Sequence, residues 1–158
     1  MLEIKVRKFR KDDLNAVYEL IQNTIDVSYN KIYPPEAIEF FKEFHSRENI
    51  LKDTVNGYTV LAERNGEILG TSTLIGCHIQ RTFVSPACQR QGIGGLLAQV
   101  LEKKASLRKS GDITLEASLV SRQFWELRGF TVREETFIPV ENGQKLIYYT
   151  MSKKIKRP

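Results

Sequence analysis

The chain has 158 residues, of which 41% are hydrophobic and 27% are charged, and its formal net charge is +5. The length suits a single domain over residues 1–158, and the composition is that of a soluble globular protein. Lysine and arginine are spread along the chain, and no apolar run approaches the ~18 residues of a membrane span. Two cysteines and two histidines are too few for a disulfide framework or a zinc site. We therefore expect a cytoplasmic protein that binds neither metal, nucleic acid nor membrane.

The first third of the sequence predicts one strand and two helices. Residues 4–9 alternate apolar and basic side chains, which fits a strand with one exposed face. Asp12 or Asp13 can cap a helix whose apolar side chains recur at helical spacing. Pro35 suits the first position of a second helix. The polar and unpatterned residues 45–57 predict a loop.

The middle of the sequence predicts three strands and a longer helix. The strands lie at residues 58–63, 67–75 and 78–84. The first two are joined at Asn65-Gly66, a dipeptide suited to the positive φ angles of a tight hairpin. Apolar residues then recur at helical spacing, which predicts a helix from Gly92 to the neighbourhood of Ser110-Gly111.

The last third predicts a strand, a short helix and a final hairpin. These elements lie at residues 113–117, 120–128, 131–140 and 145–152. Asn142-Gly143 supplies the hairpin turn. Residues 78–117 form a strand-helix-strand unit, and such a unit joins parallel strands. The sequence therefore predicts an α+β fold with about four helices and a mixed, mostly antiparallel sheet of about seven strands with one parallel pair.

A polar, basic and glycine-rich turn connects the strand ending at Val84 to the longer helix. Gly92, Gly94 and Gly95 lack side chains where the first-turn N–H groups have no intrahelical acceptor. Together with the helix dipole and the charge of Arg90, these groups favour an anion. The alternative is a helix start that happens to be rich in glycine. A Walker A loop is excluded because its Gly-Lys-Ser/Thr ending is absent.

Two motifs together resemble the GNAT superfamily of acyl-CoA-dependent N-acyltransferases. The spacing Val-x-Pro-x-x-Gln-x-x-Gly-x-Gly runs from Val84 to Gly94 and is similar to the acyl-CoA loop of that family. The second family motif is Asn-x-x-Ala-x-x-aromatic-Tyr-x-x-x-Gly-Phe. Ser118 takes its Asn position, Ser121 takes its Ala position, and the Gly-Phe ending is present. The resemblance implies a GNAT-like three-layer fold over nearly the whole chain.

The resemblance also implies that acetyl-CoA is the co-substrate. In the family, two motif strands splay apart and leave a slot where the thioester meets the acceptor amine. The end of the first strand pairs with the pantetheine arm, and one of its amides polarises the thioester carbonyl. Backbone N–H groups of the loop hold the pyrophosphate. The implied cofactor-binding residues are Thr82, Phe83, Val84, Gln89, Arg90, Gln91, Gly92, Ile93, Gly94, Gly95, Ser118, Phe124 and Trp125.

Trp125 stands where many family members place a tyrosine whose hydroxyl protonates the departing thiolate. An indole N–H is far too weak an acid for that task, which leaves three interpretations. Another group supplies the proton, and Tyr148 and Tyr149 are candidates by residue type. Alternatively, CoA leaves as a thiolate, because the ordinary pKa of a thiol is about 8.5. In the third interpretation the protein binds acyl-CoA without turning it over.

The reaction also needs a base, because an acceptor amine with a pKa of about 10.4 must lose a proton before it attacks. Some family members carry a glutamate six residues before the valine of the first motif, and here that residue is His78. A histidine titrates near neutral pH and suits the task. The alternative is a solvated histidine beside a turn. Glu63 and Glu116 are weaker candidates.

The sequence therefore predicts an N-acetyltransferase that moves an acetyl group from acetyl-CoA to a primary amine by direct attack. The acceptor is an amine of a small molecule or of a protein. In this family it is bound by the first two helices and the final hairpin, here roughly residues 29–44 and 137–148. The alternative is a non-catalytic acyl-CoA-binding or regulatory module. We expect a monomer or a homodimer.

Overall fold

Seven strands and five α-helices are present in residues 3–108 and 111–156, which the computed structural model describes. In chain order they are β1 (Lys5–Lys8), α1 (Leu14–Thr24), α2 (Pro35–Phe44), α3 (Arg47–Asn56), β2 (Tyr58–Arg64), β3 (Glu67–Ile75), β4 (His78–Val84), α4 (Ile93–Ala105), β5 (Asp112–Ser118), α5 (Arg122–Leu127), β6 (Thr131–Pro139) and β7 (Lys145–Lys154). Among these described helices, none is long and apolar enough to cross a membrane.

The seven strands form one sheet in the order β1-β2-β3-β4-β5-β7-β6. Every neighbouring pair is antiparallel except β4 and β5, which run parallel. The predicted α+β fold and its single parallel pair are therefore confirmed. The parallel pairing is short, because it joins only His78 to Thr114 and Ile79 to Leu115. Beyond Ile79 the two strands diverge, and the sheet opens at this point.

The helices cover the sheet on both faces and bury two separate clusters of apolar side chains. Helix α4 packs Leu97 and Leu101 against strand residues such as Leu115. Helix α1 packs Val17 and Ile21 into the cluster on the other face. Strand β2 contributes side chains to both clusters, because successive side chains of a strand point to opposite faces. This arrangement is the predicted three-layer fold.

Both predicted hairpin turns are confirmed by their backbone angles. Asn65 and Gly66 have φ angles of 55° and 80°, and Asn142 and Gly143 have φ angles of 58° and 70°. Two successive positive φ values are what a tight turn needs to match the twist of its strands.

The predicted loop at residues 45–57 is wrong, because most of it forms helix α3. Ser46 caps this helix, and its Oγ accepts a hydrogen bond of 3.1 Å from the Asn49 N–H. Only Ile50 of the helix is fully buried, so the sequence contains no apolar stripe that would indicate a helix. The described chain therefore has five helices rather than about four. Helix α4 ends at Ala105, earlier than predicted, and Ser110 of the predicted end lies outside the described residues.

The link between α1 and α2 reaches across the open end of the parallel pair. Helix α1 continues as a π-helical segment, Ile25–Tyr29. The Tyr33 hydroxyl then donates a hydrogen bond of 2.6 Å to the Ile147 carbonyl and accepts one of 2.8 Å from the Leu119 N–H. These bonds join the helical layer to the ends of β5 and β7, where the sheet is open.

Candidate active site

A cavity of about 180 Å³ lies where β4 and β5 diverge. We call it the cleft. It is bordered by both diverging strands, by α2, and by parts of α5, β6 and β7. Aromatic side chains supply much of its wall. They are Tyr29, Phe40, Phe41, Phe44, Phe83, Trp125 and Tyr148.

A β-bulge in β4 shapes one side of the cleft. Gln80 pairs with Thr73 and Phe83 pairs with Thr71, so that Arg81 and Thr82 together stand opposite Ser72. Arg81 adopts a left-handed conformation with φ 53°. The extra residue changes which face of the sheet the following side chains meet. Ile79 accordingly lies in the α4 cluster, whereas Phe83 lies in the cluster of α1 and α2.

The glycine-rich loop follows directly after β4 and leads into α4. Arg90 and Gly92 both have positive φ angles, 64° and 83°, and Gly92 is the N-cap of α4. The Gln89 side chain folds back and donates a hydrogen bond of 3.1 Å to the Val84 carbonyl. The first-turn N–H groups of α4 have no intrahelical acceptor by position. The loop therefore places a helix N-terminus beside the end of β4, and three of its first four residues, Gly92, Gly94 and Gly95, have no side chain.

Gly94 has a second reason to be glycine. A Cβ at this position would lie 3.1 Å from the Phe124 ring, closer than side chains normally pack. Phe124 of α5 therefore rests directly on the first turn of α4. At Gly95 a Cβ would make ordinary contact, 3.5 Å from Arg128 Nη1.

Several predicted site residues meet at the cleft, although they come from distant parts of the chain. Thr82 and Phe83 border it from the bulged half of β4. Ser118 borders it from the end of β5, where its Oγ donates a hydrogen bond of 3.3 Å to the Tyr29 hydroxyl. Trp125 is 3% exposed and packs edge-to-face between Phe124 and Phe130, with centroid distances of 4.8 and 5.3 Å. The indole is thus mainly a core group with one side at the cleft.

His78 and Tyr148 also border the cleft. The His78 Nδ1 lies 2.8 Å from Thr114 Oγ1, and its Nε2 lies 3.9 Å from Glu116 Oε1. Burial lowers the pKa of His78 below its ordinary value, and the Glu116 carboxylate opposes part of this effect. Burial raises the pKa of Tyr148, with smaller contributions from the carboxylates of Glu116 and Glu134. At neutral pH the imidazole is therefore neutral, and the phenol carries its proton.

The structure adds three polar residues that the sequence did not single out. The Arg81 guanidinium contacts the Asp53 carboxylate, and its Nε donates a hydrogen bond of 3.1 Å to His45 Nδ1. Arg81 and His45 are 7% and 6% exposed. Burial, with a smaller contribution from the Arg81 charge, lowers the pKa of His45 to about 3. No signal in the sequence links the three residues, because His45 and Asp53 fall in the segment predicted to be a loop.

A second groove of about 660 Å³ lies beside the cleft, and Phe40 borders both. Its walls come from α2 and from the turn between β6 and β7. Four glutamates border it, namely Glu36, Glu39, Glu43 and Glu141. This acidic groove contrasts with the net charge of +5 on the whole chain.

The chain is similar to known proteins in sequence and in fold. Residues 29–153 match the family model described as an acetyltransferase (GNAT) domain. An uncharacterized N-acetyltransferase of Escherichia coli (strain K12), YafP, is 24% identical over 139 residues, which cover 85% of this chain and 87% of that protein. A GCN5-related N-acetyltransferase from Rhodopseudomonas palustris superposes with a TM-score of 0.88 at 22% identity and covers 98% of both chains. The PaiA N-acetyltransferase of Thermoplasma acidophilum, solved with coenzyme A, superposes with a TM-score of 0.77 at 22% identity and covers 96% of this chain and 99% of its own.

The α+β fold is that of the N-acetyltransferases on which the chain superposes. The match covers most of the chain, and the protein belongs to the GNAT acetyltransferase family.

The buried, neutral His45 predicts a specific loss of stability in acid. Its pKa is about 3 when folded and 6.5 ordinarily. Below pH 6.5 the unfolded chain therefore binds a proton that the folded chain does not. The free energy of unfolding falls from pH 6.5 towards pH 3, at up to about 1.4 kcal/mol per pH unit.

Urea unfolding of wild type and His45→Asn at pH 7.5 and 4.5 measures this effect. The Asn side chain can still accept the Arg81 hydrogen bond but does not titrate. Wild type should lose about 3 kcal/mol more than the variant between the two pH values. Equal losses would show that His45 becomes protonated in the folded protein.

Proposed function

We propose that the protein transfers an acetyl group from acetyl-CoA to a primary amine by direct attack of the amine on the thioester. One observation carries this proposal. The parallel strands β4 and β5 separate after two paired residues and open an aromatic cleft beside the N-terminus of α4. Acetyl-CoA suits this arrangement, because it carries its thioester on a long flexible arm. Its anionic end can lie at the N-terminus of α4 while its thioester lies in the cleft.

The residues of the loop fit the pyrophosphate of CoA. Gly92 adopts a left-handed conformation that favours glycine, and Gly95 leaves space at the first turn of α4. N–H groups at a helix N-terminus bind phosphate through hydrogen bonds and the helix dipole. Arg90 adds a positive charge at the same turn. Residues 89–95 are therefore the pyrophosphate site of this proposal.

The free half of β4 fits the pantetheine arm. Beyond Ile79, no residue that the structure describes pairs with this strand on the β5 side. The backbone N–H and C=O groups at residues 82–84 can therefore pair with an extended amide-containing ligand. Ser118 and Trp125 border the opposite side of the cleft, and Phe124 packs beside Gly94. An amide of the bulged strand polarises the thioester carbonyl in this arrangement.

His78 is the proposed base. An acceptor amine arrives as an ammonium ion and must lose a proton before it can attack. Burial keeps the imidazole neutral, and Thr114 fixes the ring through Nδ1. The Nε2 atom can then take the proton directly or through one water. The imidazolium that forms lies 3.9 Å from the Glu116 carboxylate, which stabilises the charge.

The leaving thiolate takes its proton from Tyr148 or departs unprotonated. Tyr148 borders the cleft and carries its proton at neutral pH, but burial raises its pKa, so that transfer of this proton to a thiolate is uphill. CoA can also leave as a thiolate, because the ordinary pKa of a thiol is about 8.5. In either route the Trp125 indole forms part of the wall and transfers no proton.

The acidic groove supports a cationic acceptor. Primary amines are positively charged at neutral pH. A cluster of carboxylates attracts them and so raises the local concentration of the amine. Phe40 borders both the groove and the cleft, so that an amine held near the glutamates lies next to the cleft. Both a small-molecule amine and a protein amine agree with this path.

Trp125 favours a second candidate, a non-catalytic acyl-CoA-binding or regulatory module. The indole occupies a buried position in the motif where the resemblance places a tyrosine acid. Release of CoA thiol from acetyl-CoA in the presence of a panel of primary amines separates the two functions. Thiol release that depends on the amine establishes transfer, whereas binding of acetyl-CoA without release establishes the module.

The pyrophosphate site predicts an effect of charge at Gly95. Gly95→Glu should weaken acetyl-CoA binding at least tenfold, about 1.4 kcal/mol, because it adds a negative charge to the first turn of α4, next to the proposed phosphate site. Gly95→Gln has nearly the same size without the charge and is the matched control. A side chain at Gly95 does not press on the Phe124 ring, whereas one at Gly94 would.

Ligand-induced stabilisation measures this difference, since it follows RT ln(1 + [L]/Kd). Acetyl-CoA should raise the melting temperature of Gly95→Gln clearly more than that of Gly95→Glu. The same rise in both variants would place the phosphates elsewhere.

The proposed base predicts the pH dependence of the reaction. The pKa of His78 lies below its ordinary value of 6.5, and a base must be neutral to accept a proton. We expect kcat/KM to be constant above pH 6.5 and to fall as the pH drops through the lowered pKa. His78→Gln cannot titrate and should lose at least about tenfold in kcat at neutral pH.

Glu116→Gln provides a second variant with a different expected result. The Glu116 carboxylate raises the pKa of His78. Removal of this charge should therefore move the acidic limb of the kcat/KM profile to lower pH without changing the shape of the limb. A wild-type rate and pH profile in His78→Gln would show that His78 is not the base.

The role of Trp125 is tested by a pair of variants that differ in one hydroxyl. Trp125→Phe should keep kcat within about threefold if the indole N–H transfers no proton, because general acid loss costs far more. Trp125→Tyr adds the hydroxyl that the family motif carries at this position, and a higher kcat than in Trp125→Phe would place residue 125 beside the thiolate. A large loss of kcat in Trp125→Phe with unchanged CoA affinity contradicts a purely structural indole.

A further inference from the structure

We propose that Arg81 is a positioning residue for the reaction, and that Asp53 and His45 hold its guanidinium so that the β4 bulge keeps its shape beside the thioester. This inference rests on the proposed function, since it concerns the strand that would bind the acyl group. Arg81 does not touch the reacting atoms in this proposal. It acts through the backbone that follows it.

Contacts from three directions hold the Arg81 side chain, which is 4% exposed. Its Nε donates to His45 Nδ1 at 3.1 Å, and its Nη2 donates to the Phe44 carbonyl at 3.4 Å. Its Nη1 contacts the Asp53 carboxylate, which also accepts a hydrogen bond of 2.8 Å from Gln80 Nε2. Partners at the end of α2 and on α3 therefore hold a single residue of β4.

The backbone of Arg81 needs such a restraint. Its φ angle is 53°, in the left-handed region that a residue with a Cβ avoids unless its surroundings impose it. A buried guanidinium cannot leave its carboxylate without leaving an unpaired charge in the protein interior. The side chain thus fixes the backbone conformation that the residue would not choose by itself.

The bulge determines the shape of the cleft. Parallel pairing between β4 and β5 ends at Ile79, two residues before Arg81. The bulge then turns Phe83 towards the α1 side of the sheet, where its ring lies 5.1 Å from the His45 ring. In a regular strand of the same sequence, Phe83 would face the same side as Ile79, because the two residues are four positions apart and strand side chains alternate. The Arg81 contacts therefore maintain the orientation of residues 82–84, which is the part of β4 proposed to bind the thioester.

The contact with Arg81 also fixes the proton of His45. A guanidinium has N–H donors and no acceptor, so His45 Nδ1 must hold a lone pair, and its hydrogen lies on Nε2. An asparagine at this position can present an amide oxygen to Arg81 in the same way. A leucine would fill similar space but leave the Arg81 Nε–H without an acceptor. This pair of substitutions separates the hydrogen bond from the packing.

The experiment compares wild type with Arg81→Lys, His45→Leu and His45→Asn, each measured well below its melting temperature. Lysine keeps the charge, but its three donors lie on one nitrogen and cannot replace donors on the three separate nitrogens of a planar guanidinium. We expect kcat with the best amine to fall at least about tenfold in Arg81→Lys and His45→Leu, because small displacements at a reacting centre have effects of this size. The Kd for acetyl-CoA should stay within about threefold, since the pyrophosphate site is untouched. His45→Asn should restore most of the kcat that His45→Leu loses.

Carbon-13 NMR of acetyl-CoA labelled at the thioester carbonyl supplies a readout that lost stability alone would not move. Binding to wild type should shift the carbonyl resonance as an amide of the bulge polarises it. Arg81→Lys and His45→Leu should return it towards the free value, and His45→Asn should not. An unchanged resonance and an unchanged kcat in both Arg81→Lys and His45→Leu would overturn the inference. Should Arg81→Lys fail to fold, the two His45 variants decide.

The proposed function can fail separately. If wild type binds acetyl-CoA but releases no thiol with any amine, catalysis is refuted, and the carbonyl resonance of the variants still decides the role of Arg81. If wild type binds no acetyl-CoA, both proposals are refuted together.

Discussion

The structure depends on the point at which β4 and β5 stop pairing. The strands share two paired positions, the last of them at Ile79, and then diverge. Backbone groups that lose a strand partner must find other partners or remain available to a ligand. The bulge at Arg81 follows at once, and the loop into α4 begins six residues after Ile79. One interruption of the sheet thus places a cleft, a free strand edge and a helix N-terminus side by side.

An interruption in the middle of a sheet needs support from other layers, because it removes ladder hydrogen bonds. Tyr33 supplies part of it by joining the α1–α2 link to the backbone at Leu119 and Ile147. On the other side of the cleft, the contacts of Arg81 with the α2 and α3 layer supply the rest. The helices therefore do more than bury the sheet, since they also keep it open where a substrate would enter.

Burial determines the protonation states of two titratable side chains at the cleft, His78 and Tyr148. Desolvation keeps His78 neutral and keeps the Tyr148 proton in place, so that an acceptor and a donor of protons border one cavity. Glu116 stands close enough to His78 to stabilise a charge that forms there. Positive charge is spread over the rest of the chain, whereas glutamates line the groove next to Phe40. The two surfaces suit the polyanionic cofactor and the cationic amine of the proposed reaction.

The sequence by itself determined most of the fold, because local patterns specify it. Alternation predicted the strands, Asn-Gly dipeptides predicted the hairpin turns, and the glycines after Val84 predicted the loop into α4. Tertiary structure alone decided where the parallel pairing ends, that α3 is a helix, and that His45, Asp53 and Arg81 meet. Helix α3 buries only Ile50 completely, so periodicity could not reveal it. In the sequence, His45 and Asp53 lie 36 and 28 positions from Arg81. No local rule connects them, because a buried charge contacts its partners only after the layers have packed.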